Sequence, residues 1–304
     1  MPRHPSSIDS TDVFYRYYGP ENRPPPFDAK EQSLAARGLT LVFLHQWPLS
    51  SRMYDSILLS LCETHRFRVI APDRRGFGKS EWTDNAVGNG IGYKELGDDV
   101  AGLLEKLQPG PFVFIAASMG TGEALLAYTN STYIQENCRG MIWISTCLPH
   151  PVASPQNPKA LPRSVWDATL MSLRKDRPNF IANGFNGPFG VGTSGSLSEK
   201  ELAFFEGIFF EADPIAVERC LQIFTSEDLF EAIQTFGQTF DKPFLLIHGG
   251  SDGGVPVEAS AELIQKLVAQ ARLRVYEGGG HVLVLGYADR LRDDILDFVG
   301  SLEI

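Results

Sequence analysis

The sequence predicts an α/β protein in which a mostly parallel, doubly wound sheet carries a helical cap insertion. Short apolar runs alternate with segments of helical spacing through the first half of the chain and again near its end. A serine with small residues around it joins one apolar run to the next helix. A long segment rich in proline and phenylalanine interrupts the alternation, and this segment is the predicted cap.

The predicted strands are short apolar runs, most of which end in a turn. They occupy residues 13–18, 39–45, 67–71, 111–116, 140–146, 243–248 and 273–276. Glycine-rich turns follow the last two runs and mark their ends. Strands that alternate with helices over this length imply a parallel sheet with helices on both of its faces.

Helices are predicted where apolar residues recur every three or four positions. The first spans residues 50–65, in which Met53, Ile57 and Leu61 share one face. Further helices are predicted at residues 93–107, 123–130 and 289–302. A loop rich in proline and charge, at residues 19–37, separates the first two strands.

Residues 148–240 form the predicted cap, whereas residues 1–147 and 241–304 form the predicted core. The cap segment opens with a series of prolines and contains no clear buried strand. Phenylalanine is concentrated between residues 180 and 210, which we interpret as helical packing over the strand ends. The alternative is a second helical bundle with its own core and no catalytic role.

Composition and charge exclude several classes of partner. The formal net charge of −10 argues against nucleic acid or an anionic membrane surface as the main partner. No run of about 18 uncharged apolar residues is present, so we predict no membrane-spanning segment. The first residues lack the apolar core of a secretory signal, and the cysteines form no Cys-x-x-Cys pair. We therefore expect a cytoplasmic protein with reduced, mostly buried thiols; a homo-oligomer is compatible with the sequence.

Ser118 lies in the most informative stretch of the chain. The run Ala116-Ala117-Ser118-Met119-Gly120 has the pattern of a nucleophile elbow between a predicted strand and a predicted helix. That turn needs small residues two positions before and two positions after the serine. It lifts the hydroxyl above the sheet and presents the next backbone N–H to an oxyanion. The alternative is that Ser118 merely caps a helix.

Two further residues complete the order Ser, Asp, His. Asp252 lies in the glycine-rich turn after the strand at residues 243–248, and His281 follows the last predicted strand. Because ligands bind at the carboxyl ends of strands in an open α/β sheet, the three loops should meet at one edge. A neutral imidazole can take the serine proton, and a carboxylate on its other side selects the correct nitrogen. The alternative for Asp252 is an ordinary turn aspartate, although residues 141–156 contain no other acid.

A serine nucleophile also needs N–H donors for the oxyanion. The backbone N–H of Met119, directly after the serine, is the first candidate. The turn after the strand at residues 39–45 is placed to supply the second donor, and we assign it to the backbone N–H of Trp47. Pro48 has no N–H and stiffens this turn.

Two glycine-containing runs predict no nucleotide site. Gly78-Lys79-Ser80 resembles the end of a phosphate-binding loop, but Asp73 stands where that motif requires a glycine. The glycine-rich run at residues 187–192 follows no predicted strand and is a poor dinucleotide-binding fingerprint.

With these residues identified, the chain resembles an α/β-hydrolase and is similar to the cofactor-free (non-haem) haloperoxidase, perhydrolase and arylesterase branch. The similarity covers residues 45–50, residues 73–80, residues 118–123 and the two later loops. The family's triad corresponds to Ser118, Asp252 and His281, and its oxyanion amides to Met119 and Trp47. The resemblance implies an α/β-hydrolase fold and an esterase that uses no metal, haem or other cofactor. A proline at position 48 fits the peracid-forming members.

The chain departs from the family pattern in three places. Gln46 replaces the glycine that usually follows the oxyanion-loop histidine. Left-handed backbone there would destabilise a non-glycine residue by about 1 kcal/mol or more, and the amide side chain is a candidate substrate contact. Ala116 replaces another glycine, which is a mild change. The loop before residue 39 and the aromatic-rich cap are atypical, so the acyl and alcohol parts of the substrate stay open.

These residues lead to three functional hypotheses. The first is a serine hydrolase that cleaves a carboxylic ester or lactone of a small hydrophobic substrate through an acyl-enzyme on Ser118, with perhydrolase side activity. The second is a cofactor-free lyase or oxygenase that uses the dyad of His281 and Asp252 as its base. The third is a receptor-like module that binds a small ligand. Only the first requires the hydroxyl of Ser118 for turnover.

Overall fold

An eight-stranded sheet organises the described part of this computed structural model, which comprises residues 2–20, 33–36, 38–83, 90–187, 189–193 and 197–303. The strands in chain order are β1 (Arg3–Pro5), β2 (Asp12–Tyr18), β3 (Thr40–Leu44), β4 (Arg68–Pro72), β5 (Phe112–Ala117), β6 (Cys138–Ile144), β7 (Phe244–Gly249) and β8 (Ala271–Tyr276). Their order across the sheet is β1-β2-β4-β3-β5-β6-β7-β8. Strands β3 to β8 pair in parallel, whereas β2 is antiparallel to both of its neighbours. The predicted doubly wound, mostly parallel sheet is confirmed.

The α-helices of the described residues flank this sheet. They are α1 (Ser33–Ala36), α2 (Asp55–Leu59), α3 (Tyr93–Leu107), α4 (Gly120–Asn130), α5 (Thr132–Asn137), α6 (Arg163–Lys175), α7 (Arg177–Asn186), α8 (Glu199–Phe210), α9 (Pro214–Ser226), α10 (Phe230–Thr239), α11 (Ala261–Leu267) and α12 (Ala288–Gly300). The helix predicted at residues 50–65 is divided into a 3-10 turn (Ser51–Tyr54), α2 and a π-helical turn (Ser60–Thr64). The loop predicted at residues 19–37 lies largely outside the described residues.

Each predicted strand is present, with ends that differ by at most two residues. β1 was not predicted because its three residues, Arg3, His4 and Pro5, form no apolar run, and it exists only by pairing with β2. The helix predicted at residues 123–130 begins earlier, at Gly120, because the turn at Ser118 leads directly into α4.

The central strands β3 to β7 are buried on both faces because two layers of helices cover this part of the sheet. In β5, Phe112, Phe114 and Ala116 belong to an apolar cluster that includes residues of α4, α10 and α11. The alternate residues of β5 belong to a second cluster, which includes residues of α2, α6, α8, α9 and α12. This arrangement explains why the strands read as continuous apolar runs, and it leaves the strand ends as the place for polar chemistry.

The segment between β6 and β7 contains five of the helices, α6 to α10. Residues of α6, α8 and α9 share an apolar cluster with the sheet, and α10 packs against α4 and α11. The division of the chain at residues 148 and 240 stays a prediction. The four cysteines are buried, and none of them forms a disulfide bond. Among the described residues, none of the helices combines the length and apolar character needed to cross a bilayer.

Candidate active site

Ser118 occupies the turn that joins β5 to α4, in strained backbone. Its φ is +50°, in the left-handed region that non-glycine residues rarely adopt. The Ser118 N–H donates to the carbonyl oxygen of Ile144 at 2.8 Å, and the Ser118 carbonyl accepts the N–H of Thr121 at 3.0 Å. The first bond ties the turn to the end of β6, and the second joins the turn to the start of α4. The strained geometry expected of a nucleophile elbow is therefore present at Ser118.

Gly120 allows the elbow to lie against the loop that follows β3. A Cβ on Gly120 would lie 2.8 Å from the carbonyl oxygen of Leu44 and 3.0 Å from that of His45. Such separations are too short for a side chain, so the position two residues after the serine requires glycine. Ala116, two residues before the serine, is buried in β5, where there is room for its methyl group. The predicted need for small residues is met on both sides.

Ser118, His281 and Asp252 form one hydrogen-bonded chain. The Oγ of Ser118 lies 2.8 Å from Nε2 of His281, and Nδ1 of His281 lies 2.6 Å from Oδ2 of Asp252. Because an ionised carboxylate can only accept, Nδ1 carries the proton and Nε2 is free to accept from the serine hydroxyl. All three side chains are buried. The structure therefore brings the three sequence-predicted residues together in the expected order.

The Asp252 carboxylate is held from several sides. Its Oδ1 accepts the backbone N–H groups of Gly254 at 2.9 Å and Val255 at 2.8 Å. Burial alone would raise its pKa, but His281 and His248 outweigh burial and hold the pKa of this carboxyl well below its usual range. Asp252 is therefore ionised at neutral pH. An ordinary turn aspartate is ionised as well, but it is exposed and is not enclosed by histidines and backbone N–H groups as Asp252 is.

His248 is a contact of Asp252 that the sequence did not predict. Its Nε2 lies 2.9 Å from the carbonyl oxygen of Val255 and 3.1 Å from Oδ2 of Asp252. Both partners are acceptors, so Nε2 carries a proton. His248 thus bonds to a backbone carbonyl and to the Asp252 carboxylate through the same N–H. The feature of the sequence that could have indicated this contact is the spacing of four residues between His248 and Asp252.

His45, by contrast, has hydrogen bonds to backbone groups alone in the described part of the chain. Its Nε2 accepts the N–H of Arg74 at 2.8 Å, and its Nδ1 donates to the carbonyl oxygen of Gln46 at 2.9 Å. Burial, and then the charge of Arg74, lower the pKa of His45 well below its usual value. This imidazole is therefore neutral and positions the loop that contains Trp47.

The two assigned oxyanion amides follow β3 and β5. Among the described residues, no acceptor is found for the backbone N–H of Trp47 or of Met119. The indole N–H of Trp47 donates to the carbonyl oxygen of Val217 on α9 at 2.8 Å, which anchors this loop. The peptide bond between Trp47 and Pro48 is cis. Two unpartnered N–H groups near the elbow are what oxyanion binding requires.

Gln46 is buried, with 1% of its surface exposed. Its backbone is not in the left-handed region, so the strain expected for a non-glycine residue at this position does not arise. Its Nε2 has no hydrogen-bond partner among the described residues. A buried amide donor without a partner is unfavourable unless a ligand or an ordered water supplies the acceptor.

Cys147 is the nearest competing nucleophile. Its thiol lies 3.4 Å from the hydroxyl of Tyr93 and within hydrogen-bonding reach of Ser118. Burial raises the pKa of the Cys147 thiol to about 11. The thiolate is therefore scarce at neutral pH, and Cys147 is unsuited to nucleophilic attack.

Residues 187 and 189–192, the described part of the glycine-rich run, lie beside the loop that contains His281. Within this run, the half-buried ring of Phe189 stacks on the imidazole of His281, with 4.9 Å between ring centroids. Sequence patterns had no signal for this contact because the two residues lie on separate parts of the chain.

Comparisons with known proteins concern the family and the fold of the chain. A family model described as the alpha/beta hydrolase fold matches residues 40–206. The chain is 30% identical to a non-heme chloroperoxidase of Streptomyces lividans, over 97% of this chain and 99% of that protein. It is 30% identical to the bifunctional esterase/perhydrolase DCH of Acinetobacter calcoaceticus, over 96% of this chain and 98% of that protein. The structure of a bromoperoxidase from Bacillus anthracis shares the fold, with a TM-score of 0.81 and 24% identity over 98% of this chain and 99% of that one.

Proposed function

The chain belongs to the α/β-hydrolase family, and from this premise we propose that it is a serine hydrolase of a carboxylic ester or lactone of a small hydrophobic substrate. The hydrogen-bonded chain of Ser118, His281 and Asp252 carries this proposal. Each of its two contacts is short enough for proton transfer. The similarity to a protein named esterase/perhydrolase supports an acyl substrate.

The first half of the reaction forms an acyl-enzyme. The oxygen of Ser118 attacks the carbonyl carbon of the substrate while its proton passes to Nε2 of His281. Asp252 accepts the N–H at Nδ1 and so stabilises the imidazolium. The tetrahedral intermediate then collapses, and the leaving alkoxide takes the proton from Nε2. In a lactone the released alcohol stays attached to the acyl group.

The second half returns the enzyme to its starting state. Water gives a proton to Nε2 of His281 and attacks the acyl carbonyl, after which the carboxylic acid leaves and Ser118 regains its proton. Hydrogen peroxide in place of water would yield a peracid by the same transfer. Perhydrolase activity is therefore expected as a side reaction wherever peroxide competes with water.

The N–H groups of Met119 and Trp47 are the proposed oxyanion donors. Met119 N–H follows the nucleophile directly and opens α4, whose N-terminus favours negative charge. The absence of other acceptors for both groups among the described residues supports this role. Loss of one such donor typically reduces kcat by about 10² to 10³.

Gln46 is the proposed polar contact of the substrate. Its unpaired Nε2, buried on the loop before Trp47, offers a donor to an oxygen of the substrate. A substrate lacking that oxygen would leave the amide unsatisfied, which is a strong basis for selectivity. Gln46→Leu should therefore raise KM for the preferred ester more than for a simple 4-nitrophenyl acetate.

Reaction with a fluorophosphonate, followed by intact-mass analysis, tests the nucleophile. We expect one adduct on the wild type and none on Ser118→Ala, with a fall in ester turnover on the order of 10⁶-fold. Ser145→Ala is the matched control because Ser145 is also buried with a positive φ of 45°. Labelling of Ser118→Ala, or loss of labelling in Ser145→Ala alone, would contradict the assignment.

A lyase or oxygenase based on the dyad of His281 and Asp252 is the second candidate. The unpaired Nε2 of Gln46 favours it, since such chemistry needs an extra donor for the substrate but no acyl-enzyme. Turnover of a substrate that persists in Ser118→Ala and disappears in His281→Ala would support this candidate over ester hydrolysis.

A further inference from the structure

The loop between α7 and α8 is bonded to the loops that carry Asp252 and His281. In the described residues 187 and 189–193, this clamp loop makes three backbone hydrogen bonds to the His281 loop: His281 N–H to Phe189 O at 2.7 Å, Val282 N–H to Gly190 O at 3.1 Å, and Thr193 N–H to Gly278 O at 2.8 Å. The hydroxyls of Thr193 and Ser251 lie 3.1 Å apart and link the clamp loop to the Asp252 loop.

Phe189 places its ring between the imidazole and the Asp252 loop. The ring stacks on His281 with centroids 4.9 Å apart and planes at 23°. Gly254, whose N–H donates to Asp252, has no side chain, and a Cβ there would lie 2.4 Å from Cδ2 of Phe189. The ring therefore has contact on both sides and little freedom to tilt away from His281.

The glycines of the clamp loop make this close approach feasible. Gly192 has a φ of +76°, and a Cβ there would lie 2.3 Å from the carbonyl oxygen of Gly278. A Cβ on Gly190 would lie 1.9 Å from the carbonyl oxygen of Phe185. Both positions thus require glycine for packing and conformation. Gly192 is therefore explained by contact with the His281 loop, whereas Gly190 is explained by contact of the clamp loop with the end of α7.

We propose that Phe189 is a positioning residue for His281, so that a segment outside the strand-end loops completes the site. The inference rests on the proposed function. Asp252 and Ser118 contact the imidazole at Nδ1 and Nε2, and two such contacts leave the ring free to rotate about the line that joins these atoms. The stacked ring removes that freedom and directs Nε2 to Ser118.

The stacked ring also acts on the charge of His281. When His281 takes the serine proton it becomes a cation, and the negative face of an aromatic ring attracts a cation. The ionisable groups that surround the imidazole in the described residues are Asp252, His248 beyond it and, on the other side of Ser118, the thiol of Cys147. All three stay in place when only Phe189 is changed, so a shift in protonation can be assigned to the ring.

Protonation of His281 can be measured directly in the whole protein. The chain contains six histidines, and with ¹³C-labelled histidine the signal of His281 is identified by its absence in His281→Gln. For Phe189→Leu we expect the midpoint of the His281 titration to fall by about 0.4 to 0.7 pH unit, the equivalent of a moderate cation–π contact. Phe189→Tyr, which keeps the ring, should restore the wild-type midpoint.

The rate of fluorophosphonate labelling gives the kinetic readout. Phe189→Leu should be labelled about 2- to 5-fold more slowly than the wild type, and Phe189→Tyr at close to the wild-type rate. Phe180→Leu is the matched control, because Phe180 is a partly buried phenylalanine of α7 that packs against the core. A wild-type midpoint and rate in Phe189→Leu, or equal losses in Phe189→Tyr, would overturn the inference.

Gly254→Ala provides a second variant that moves the ring without changing it. Its Cβ would displace Phe189, so it should slow labelling in the wild type but much less in Phe189→Leu, where no ring blocks it. Equal slowing in both backgrounds would contradict the clamp. This comparison of labelling rates remains informative if one of the variants is less stable, because each rate is referred to the fraction of that variant that is folded.

The two proposals fail in different ways. If the wild type is not labelled at Ser118, the proposed function is wrong, yet the His281 titration still reports whether Phe189 acts on the imidazole. If the wild type is labelled and Phe189→Leu matches it in both readouts, only the positioning role is wrong.

Discussion

Replacing His248 by leucine tests how strongly the second histidine holds the carboxylate of Asp252. In the wild type, Nε2–H of His248 is shared between Oδ2 of Asp252 at 3.1 Å and the carbonyl oxygen of Val255 at 2.9 Å. Leucine is similar in size and branching but has no donor. His248→Leu therefore leaves the buried carboxylate with the donors of His281, Gly254 and Val255.

The expected loss follows from the type of bond removed. A hydrogen bond to a charged group contributes about 1.5 to 3 kcal/mol, so the free energy of unfolding should fall by that amount. The unfolding entropy is about 2.1 cal/mol/K per residue. For a chain of 304 residues, the melting temperature should then fall by about 2 to 5 °C.

Thermal unfolding at neutral pH measures this loss, with two variants as references. His248→Gln keeps an N–H donor near the position of Nε2 and should recover at least half of the lost stability. His150→Leu is the matched control, because among the described residues Nε2 of His150 has one hydrogen-bond partner, the carbonyl oxygen of Thr225 at 3.2 Å. A neutral bond of that kind contributes about 0.5 to 1.5 kcal/mol. Equal falls for His248→Leu and His150→Leu, or no recovery in His248→Gln, would refute the reasoning.

Further predictions concern the elbow, a buried ion pair and the acid. Gly120→Ala should lower kcat/KM for a 4-nitrophenyl ester by about 10- to 100-fold, since its Cβ would lie 2.8 Å from a carbonyl oxygen at the end of β3. Gly207→Ala is the control: a Cβ there would have no neighbouring atom within 4 Å among the described residues, so kcat/KM should not change. Glu123→Gln should lower the free energy of unfolding in urea by about 3 to 5 kcal/mol, because it leaves the buried guanidinium of Arg74 without its counter-charge; a loss under 1 kcal/mol would contradict this. Asp252 has a folded-state pKa below its unfolded value of about 3.9, owing to His281 and His248 acting against burial. Its stabilising contribution should be complete above about pH 5 and decline below about pH 4, so the stability difference between wild type and Asp252→Asn should be flat from pH 5 to 7 and shrink in acid.

The strands and the three strand-end residues were predictable because both follow from local patterns. A parallel strand covered on both faces must be apolar throughout, so β3 to β7 are visible as runs of apolar residues. In a parallel sheet the carboxyl ends lie at one edge, so Ser118 and Asp252 converge without any knowledge of loop paths. Helix ends were less predictable, as α4 shows, because the elbow sets its start.

β1 and the division of the helix at residues 50–65 were not predictable in the same way. β1 has no apolar signal and depends on its pairing with β2. The segment at residues 50–65 keeps the predicted buried face, with Met53, Ile57 and Leu61 inside. Its winding, however, changes from 3-10 to α to π, and side-chain periodicity is too coarse to distinguish these forms.

The sequence by itself determined the fold class and the order of strands and helices along the chain. It also identified Ser118, Asp252 and His281 as the polar residues in the turns after three strands. Residue periodicity reports burial, and parallel topology converts strand ends into neighbours. Only the tertiary structure decided that His248 bonds to Asp252, that Nε2 of Gln46 is buried with no partner in the described part of the chain, and that Phe189 stacks on His281. These contacts depend on the paths of loops, and such paths are set by packing between distant segments rather than by local pattern.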